Sequence, residues 1–301
     1  MATTTSSSPT APEPSVATAS GWQPSERQLE RIKYRRSRTR RSVLIALASS
    51  IVVIGIVVVV VGNSSGWPRT RASFFDLSAG WHDLPALLRA LWINIQIMLI
   101  SEVFILVFGA LIATMRTLQG AVFFPLRFFA ALYTDIFRGM PLLIVLYLVG
   151  FGLPSLRLSW APSSPFTLCI IALVLTYTAY VAEVFRAGIQ SVHPSQRASA
   201  RALGLTYAQS MRHVVFPQAV RRVFPALLND FVSLQKDTSL VSVLGVIEIT
   251  LTAYNQQSQD FKFVPLVFAG LVFVALTIPT TRLTDWIAQR QGWISPGAAM
   301  V

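Results

Sequence analysis

Six long and nearly uncharged apolar segments constrain this 301-residue chain more than any other feature. A 19-residue helix is about 28 Å long, which matches a hydrocarbon core of roughly 30 Å. Only 13% of the residues are charged and the mean hydropathy is +0.57, whereas ordinary globular domains carry about 25% charged residues. We therefore predict an all-α polytopic membrane protein. The predicted spans are residues 43–61, 90–115, 134–153, 166–184, 223–249 and 263–281.

The distribution of basic residues predicts the orientation of these spans. With both termini inside, 18 of the 25 Lys and Arg residues fall on the inner side, as the positive-inside rule requires. Eight of the 18 form a basic run directly before the first span. The net charge of +12 is therefore explained mainly by topology, and we expect no nucleic-acid partner. The run comprises Arg27, Arg31, Lys33, Arg35, Arg36, Arg38, Arg40 and Arg41.

Common catalytic and cofactor motifs are missing from the sequence. Cys169 is the single cysteine, and the three histidines are scattered, so neither a disulfide nor a metal site is predicted. No Gly is followed by Lys, which excludes a GxxxxGK[ST] phosphate loop. We expect this chain to be no enzyme and to bind no cofactor, so that any ATP is hydrolysed on a partner.

The segment between the fourth and fifth spans has more structure than a connector needs. Ser195 is predicted to cap a first short helix, which Gly204 ends in a left-handed conformation. Thr206 is predicted to cap a second helix that Pro217 halts. A pair of amphipathic helices lying on the lipid surface remains an alternative interpretation.

Four motifs in one colinear order resemble the permeases of binding-protein-dependent ABC importers, polar amino-acid branch. ARALGL, followed ten residues later by FPQAVRR, is similar to their EAA loop. The other three motifs are DIFRGMPLLIVLYLVGFGLP, AYVAEVFRAGI and KDTSLVSVLGVIE. This chain departs from the family pattern at Ala198, where the EAA glutamate is expected, at Ser199, and at Met140, where Thr is usual.

The resemblance implies a type I ABC importer permease-like bundle with a five-helix core plus one extra N-terminal helix. It also implies a bacterial cytoplasmic-membrane location and an importer that carries a polar amino acid. The partners would be two ABC ATPase subunits, a second permease copy or sister permease, an external amino-acid-binding protein and membrane lipid. The implied ATPase-coupling residues are Ser195, Ala198, Ala200, Arg201, Ala202, Leu203, Gly204, Leu205 and Pro217.

The predicted organisation follows from these segments. Residues 1–42 form a disordered and then basic cytoplasmic tail, 43–61 the extra transmembrane helix and 62–89 an external loop. Residues 90–290 form the permease domain, with the coupling loop at 190–218, and 291–301 a cytoplasmic tail.

Polar residues at membrane depth are the candidates for a substrate path. Glu102 lies near the centre of its span, where an ionised group must be paired or face a cavity. It is either a ligand for a substrate cation, or a carboxyl that is protonated or paired within the bundle with a residue such as Arg138 or Lys236. The break at Arg138, Gly139 and Pro141 either lines the path or is a plain helix entry.

A polar stripe in the fifth span gives four further candidates: Lys236, Asp237, Thr238 and Ser239. Lys236 and Asp237 either neutralise each other or contact the substrate. Asn229 and Asp230 are weaker candidates. Glu183 and Arg186 are interpreted as a helix-surface ion pair.

Two other functions fit parts of the sequence. A secondary amino-acid transporter would need no ATPase, but it usually shows inverted repeats. A non-transport scaffold could use the basic tail to bind lipid, yet this leaves the predicted helix pair and the intramembrane charges unexplained.

Overall fold

The computed structural model describes residues 26–118 and 120–290, and every regular element in these ranges is helical. The chain divides into two units, one ending at Trp67 and the other beginning at Pro68. The predictions for residues 1–25 and 291–301 lie outside the described residues. The helices are α1 Glu26–Gly62, α2 Trp67–Phe74, α3 Leu77–Thr117, α4 Phe124–Gly139, α5 Leu142–Tyr147, α6 Leu153–Ser155, α7 Pro165–Ser191, α8 Pro194–Ala202, α9 Tyr207–Ser210, α10 Phe216–Asp237, α11 Ile249–Asp260 and α12 Val264–Arg290.

Helix α1 constitutes the described part of the first unit. Its 37 residues correspond to about 55 Å at 1.5 Å per residue, so it is much longer than the hydrocarbon core. The apolar part, Ser42–Gly62, is long enough to cross a membrane, and its large apolar side chains are exposed. The basic run belongs to this helix, which begins at Glu26.

Four helical segments of the described chain are long and apolar enough to span a membrane, which confirms four of the six predicted spans. They are Ser42–Gly62, Trp67–Thr117, Pro165–Ser191 and Val264–Ala288. The other two predicted spans are bent. Ala121–Gly139 and Leu142–Ser155 meet at 107°, and Tyr207–Leu244 and Ile249–Asp260 meet at 52°. The predicted span at 223–249, which the sequence shows interrupted at Lys236 and Asp237, is not one continuous helix, because α10 ends at Asp237 and a 3-10 segment, Thr238–Leu244, follows it.

The segment at 62–89, expected to be an external loop, is largely helical, since α2 and the first turns of α3 occupy most of it. Asp76 caps α3 by accepting a hydrogen bond from the amide of Ala79. Lys262 donates to Asp76 at 2.8 Å, an interaction that raises the pKa of Lys262. Phe74 also stacks on Phe263 with ring centroids 4.8 Å apart. Low hydropathy predicted a loop here, but the cap and these contacts stabilise helix.

Helix α7 lies at the centre of the second unit, since 61% of its most apolar stretch is buried. A first hydrophobic cluster joins α7 to α3, α5 and α10. A second cluster joins the beginning of α3 to α11 and α12. Glycines permit the closest approach: a Cβ at Gly109 would meet Val181, and a Cβ at Gly188 would meet Val223 and Ala219.

We predict that Gly188→Ala destabilises the protein by about 1–3 kcal/mol, the usual range for overpacking. The added Cβ would lie 2.4 Å from Val223 Cγ1 and 3.1 Å from the carbonyl oxygen of Ala219, and this backbone atom cannot move aside cheaply. Thermal unfolding in detergent, followed by size-exclusion chromatography, measures the effect. Gly270→Ala is the matched control, because an added Cβ there meets no atom within 4 Å. Equal melting temperatures for the two variants would contradict the prediction.

Candidate functional site

A polar cleft of about 360 Å³ lies between α7 and α10. Pockets for small molecules usually occupy about 300–1,000 Å³, so the cleft is large enough for a metabolite. We call it the acidic cleft, because two carboxylates line it. The lining residues are Leu142, Thr176, Tyr177, Tyr180, Asp230, Ser233 and Asp237.

Helical spacing explains why these side chains meet. Asp230, Ser233 and Asp237 are separated by three and four residues, so they share one face of α10. Tyr177 and Tyr180 share a face of α7 for the same reason. The cleft is therefore built by two helices that pack directly against each other.

The acidic cleft contains polar atoms with free hydrogen-bonding capacity. Tyr177 donates its hydroxyl hydrogen to Asp237 Oδ2 at 2.7 Å. Asp230 Oδ2 and Thr176 Oγ1 are buried and have no hydrogen-bond partner in the described part of the chain. Buried polar atoms are normally paired, so these two acceptors are unsatisfied within the described residues.

Glu102 contributes a third carboxylate to this region. It is half-buried on α3, and its charge interacts with that of Asp230. Within residues 26–118 and 120–290 it forms no ion pair, so the expected alternative of pairing with Arg138 or Lys236 is wrong. Glu102 does not line the acidic cleft, so it is a neighbour of the cleft rather than part of its wall.

The predicted polar stripe of the fifth span is not continuous. Asp237 lines the acidic cleft, whereas Lys236 is exposed and Ser239 is half-buried away from the lining. Thr238 is fully buried and accepts from Asn94 Nδ2 at 3.2 Å. The reason is geometric, since adjacent residues of a helix do not share a face. We therefore assign Thr238 to packing rather than to the path.

The predicted helix break is present, and it lies between two helices rather than at the entry of one. Helix α4 ends at Gly139 and α5 begins at Leu142. Met140 is extended, with φ −102° and ψ 129°, as expected for a residue before proline. Arg138 and Gly139 end α4, and the residue after Pro141 is Leu142, which lines the acidic cleft.

A buried polar network was missed by sequence reasoning. Asn94 Nδ2 donates to Glu248 Oε2 at 2.9 Å, and Asn94 Oδ1 accepts from the amide of Ile249 at 3.2 Å. Glu248 is 0% exposed and also accepts from the amides of Thr250 and Leu251. It thus caps α11 and joins it to α3. The position of Glu248 directly before an apolar helix start could have indicated this cap.

The second candidate element is a pair of short helices, α8 and α9, which we call the knuckle. Thr206 caps α9 in a capping box with Gln209, as predicted, and Gly204 has the predicted left-handed conformation with φ +79°. The cap of α8 is His193 rather than Ser195; its Nδ1 accepts from the amide of Ser195. Pro194 occupies the first helical position, so the helix begins earlier in the sequence than predicted.

Pro217 does not halt the second helix, contrary to the prediction. A π-helical segment, Met211–Val215, joins α9 to α10, and the amide of Phe216 donates to the carbonyl of Met211. A π turn shifts the hydrogen-bond ladder by one residue. Pro217, which has no amide hydrogen, is therefore accommodated in the first turn of α10.

The knuckle is attached to the ends of the core helices. Tyr207 donates its hydroxyl hydrogen to the carbonyl of Thr117 at 2.8 Å, at the end of α3. Arg197 of α8 donates to the carbonyl of Ile189 near the end of α7, and Arg222 of α10 donates to the carbonyl of Ser191 at the same end. Of the predicted coupling residues, Ala200 is buried and Leu205 is half-buried, whereas the others are exposed. The exposed residues are Ser195, Ala198, Arg201, Ala202, Leu203, Gly204 and Pro217.

We predict that Asn94→Ala lowers the free energy of unfolding by about 1–3 kcal/mol, because it leaves the buried amide of Ile249 without a partner and removes one of the hydrogen bonds to the buried carboxylate of Glu248. The melting temperature of the detergent-purified protein measures the loss. Asn255→Ala is the control, since this asparagine is exposed on α11. A melting temperature unchanged in Asn94→Ala would show that the network contributes nothing to stability.

Comparison with known proteins gives concordant results. The chain is 32% identical over 207 residues to the arginine transport system permease protein ArtQ of Bacillus subtilis (strain 168), covering 68% of this chain and 92% of that protein. It is 34% identical over 222 residues to the glutamate/aspartate import permease protein GltK of Escherichia coli O157:H7, covering 72% and 98%.

A solved structure described as "Crystal structure of an amino acid ABC transporter with histidines" is similar with a TM-score of 0.65 and 31% identity. The match covers 71% of this chain and 98% of that chain. The family model of binding-protein-dependent transport system inner membrane components matches residues 105–293, which include the acidic cleft and the knuckle. The chain therefore belongs to this family of multi-pass permeases, which work with an ATPase and a substrate-binding protein.

Proposed function

We propose that this chain is the permease subunit of an ATP-driven importer that carries a polar amino acid across the bacterial cytoplasmic membrane. The strongest support is the acidic cleft, which places carboxylates beside buried unpaired polar atoms between two membrane helices. The named relatives transport arginine, glutamate or aspartate, and all of these substrates carry an α-ammonium group.

The chemistry of the acidic cleft suits such an ammonium group. Asp230 and Asp237 offer acceptors, and hydrogen bonds between charged groups are about twice as strong as neutral ones. An ammonium group entering the cleft would exchange its hydration shell for these oxygens, as transport through a low-dielectric layer requires.

The knuckle is proposed to couple transport to ATP hydrolysis on a separate ATPase. It is exposed, its two helices are capped, and it is tied to α3 and α7, so a force applied to it reaches the core helices. The chain carries no phosphate-loop motif, and we propose that it binds no cofactor itself. Two ATPase subunits, a second permease and an external binding protein complete the proposed assembly. Both termini are proposed to lie in the cytoplasm.

Reconstitution tests this function directly. The complex of this chain with its ATPase is placed in proteoliposomes, and uptake of radiolabelled L-arginine, L-glutamine and L-glutamate is measured with the loaded binding protein outside. We expect uptake only with ATP on the ATPase side. Uptake driven by an ion gradient without ATP would establish the secondary-transporter alternative. No uptake under either condition would support the scaffold alternative.

We predict that Asp237→Asn reduces transport by about tenfold or more, because a charge-assisted hydrogen bond becomes a neutral one. Asn still accepts the Tyr177 hydrogen bond, so the fold should persist. The measurement is the initial uptake rate at subsaturating substrate. Asp285→Asn, on α12, is the matched control and should transport normally. Unchanged uptake in Asp237→Asn would remove this residue from the substrate path.

We predict that Gly204→Arg abolishes transport and co-purification of the ATPase while the protein still enters the membrane. A side chain at Gly204 would project into open space, since an added Cβ meets nothing within 4 Å, so it obstructs docking. The left-handed backbone, with φ +79°, also strains a non-glycine residue by about 1–2 kcal/mol. Gly204→Asn is the control, because asparagine tolerates the left-handed conformation and is much smaller. Normal transport by Gly204→Arg would contradict the role of the knuckle.

A further inference from the structure

Three arginines from three helices converge on the single carboxylate of Glu183. Arg116, at the end of α3, places Nη1 2.8 Å from Glu183 Oε2. Arg186, one turn further along α7, donates from Nε to the same oxygen at 2.9 Å and from Nη2 to Oε1. Arg138, at the end of α4, is more distant, with its Nη1 3.8 Å from Oε2. The sequence had predicted only the pair of Glu183 and Arg186.

The charges of this arginine cluster are not balanced. One carboxylate faces three guanidinium groups, which leaves a net charge of +2. Arg116 and Arg186 use the carboxylate at hydrogen-bonding distance, so Arg138 is the arginine left in excess. Asp135, one turn before it on α4, forms no ion pair with it within the described ranges.

The guanidinium of Arg138 is also the most accessible of the three. Its side chain is 41% exposed, against 16% for Arg116 and 25% for Arg186. Among residues 26–118 and 120–290, it donates no hydrogen bond within 3.5 Å. An arginine carries five N–H donors in a planar fork that fits a carboxylate with two parallel hydrogen bonds. Those donors are therefore free to bind an anion.

Arg138 lies at the edge of the acidic cleft. Tyr180, which lines the cleft, donates its hydroxyl hydrogen to the backbone carbonyl of Arg138 at 3.5 Å. Glu183 is one helical turn beyond Tyr180 on α7. Leu142, just after the helix break, is also part of the cleft lining. The α10 carboxylates therefore lie in the cleft lining, and the backbone of Arg138 contacts Tyr180 of the same lining.

We propose that Arg138 binds the α-carboxylate of the transported amino acid, while Asp230 and Asp237 take its ammonium group. This inference rests on the proposed function and adds the polarity with which the substrate lies in the cleft. Glu183, held by Arg116 and Arg186, acts as a positioning residue that orients Arg138 without neutralising it. An uncompensated cation inside a membrane protein is costly, and a carboxylate ligand removes that cost.

Equilibrium binding to the purified permease–ATPase complex tests the proposal. The complex is placed in phosphatidylcholine nanodiscs without the binding protein, so that neither an anionic headgroup nor the receptor contributes. The probes are L-arginine, L-glutamine and L-glutamate, each compared with its α-methyl ester, which retains the ammonium group but lacks the α-carboxylate charge. For the transported substrate, we expect the unaltered complex to bind the acid at least about tenfold more tightly than the ester.

In Arg138→Gln, the affinity for the acid should fall to that of the ester, and the affinity for the ester should not change. Arg138→Lys should retain part of the preference, because lysine keeps the charge but loses the planar fork. Arg282→Gln, an exposed arginine of α12, is the matched control and should retain the full preference.

Two results would overturn the inference while leaving the proposed function intact. One is an acid-to-ester ratio that Arg138→Gln does not change. The other is an equal loss of affinity for acid and ester, which would indicate a structural role for Arg138. If the unaltered complex binds none of the three amino acids and transports none, the proposed function fails, and this inference fails with it.

Discussion

The close packing of α7 against α3 and α10 is the contact on which the rest of the structure depends. Lipid provides no hydrophobic force between helices, so their association relies on close surfaces. Gly109 and Gly188 provide those surfaces by letting Val181 and Val223 approach where a side chain would collide. Because α7 carries part of the acidic cleft, the centre of the arginine cluster and an anchor of the knuckle, a shift of this helix would disturb all three.

This shared helix also explains how an event at the knuckle can reach the acidic cleft. The knuckle is bonded to the backbone of α7 at Ile189, through Arg197, and to the end of α3 at Thr117, through Tyr207. It continues through the π-helical segment into α10, which supplies the opposite wall of the cleft. A rigid element that contacts both walls can change the distance between them, and π turns occur frequently where helices have functional roles.

The sequence predicted the elements that depend on composition and missed those that depend on tertiary contacts. Long apolar helices were predicted well, because spanning length is a property of the segment itself. The caps at Thr206 and Gly204 were also predictable, since they are local. The path of the chain after Asp237 was not predictable, because the hydropathy averaged over a segment does not reveal a 3-10 segment or a turn at Gly245.

The acidic cleft was predictable only in part, for a similar reason. Asp237 was identified, but the adjacent Thr238 was included with it, although the two side chains point to different surroundings. Asp230 was a weaker candidate for the substrate path, because nothing in the sequence shows that it lines the same cleft on α10 as Tyr177 does on α7. The network of Asn94 and Glu248 joins residues more than 150 positions apart, a distance that no local pattern spans.

The charged groups of this chain can be sorted by their hydrogen bonds. Those satisfied within the protein are structural, and we assign the unsatisfied ones to function. Glu248 receives hydrogen bonds from Asn94 and from two backbone amides, and Glu183 receives them from two arginines, so both are satisfied within the protein. Asp230 Oδ2 has no hydrogen-bond partner among the described residues, and Arg138 faces Glu183 only at 3.8 Å, although both lie among membrane helices, where such groups are costly. The acidic cleft and the neighbouring arginine cluster therefore hold an acceptor and a cation that a zwitterion would satisfy.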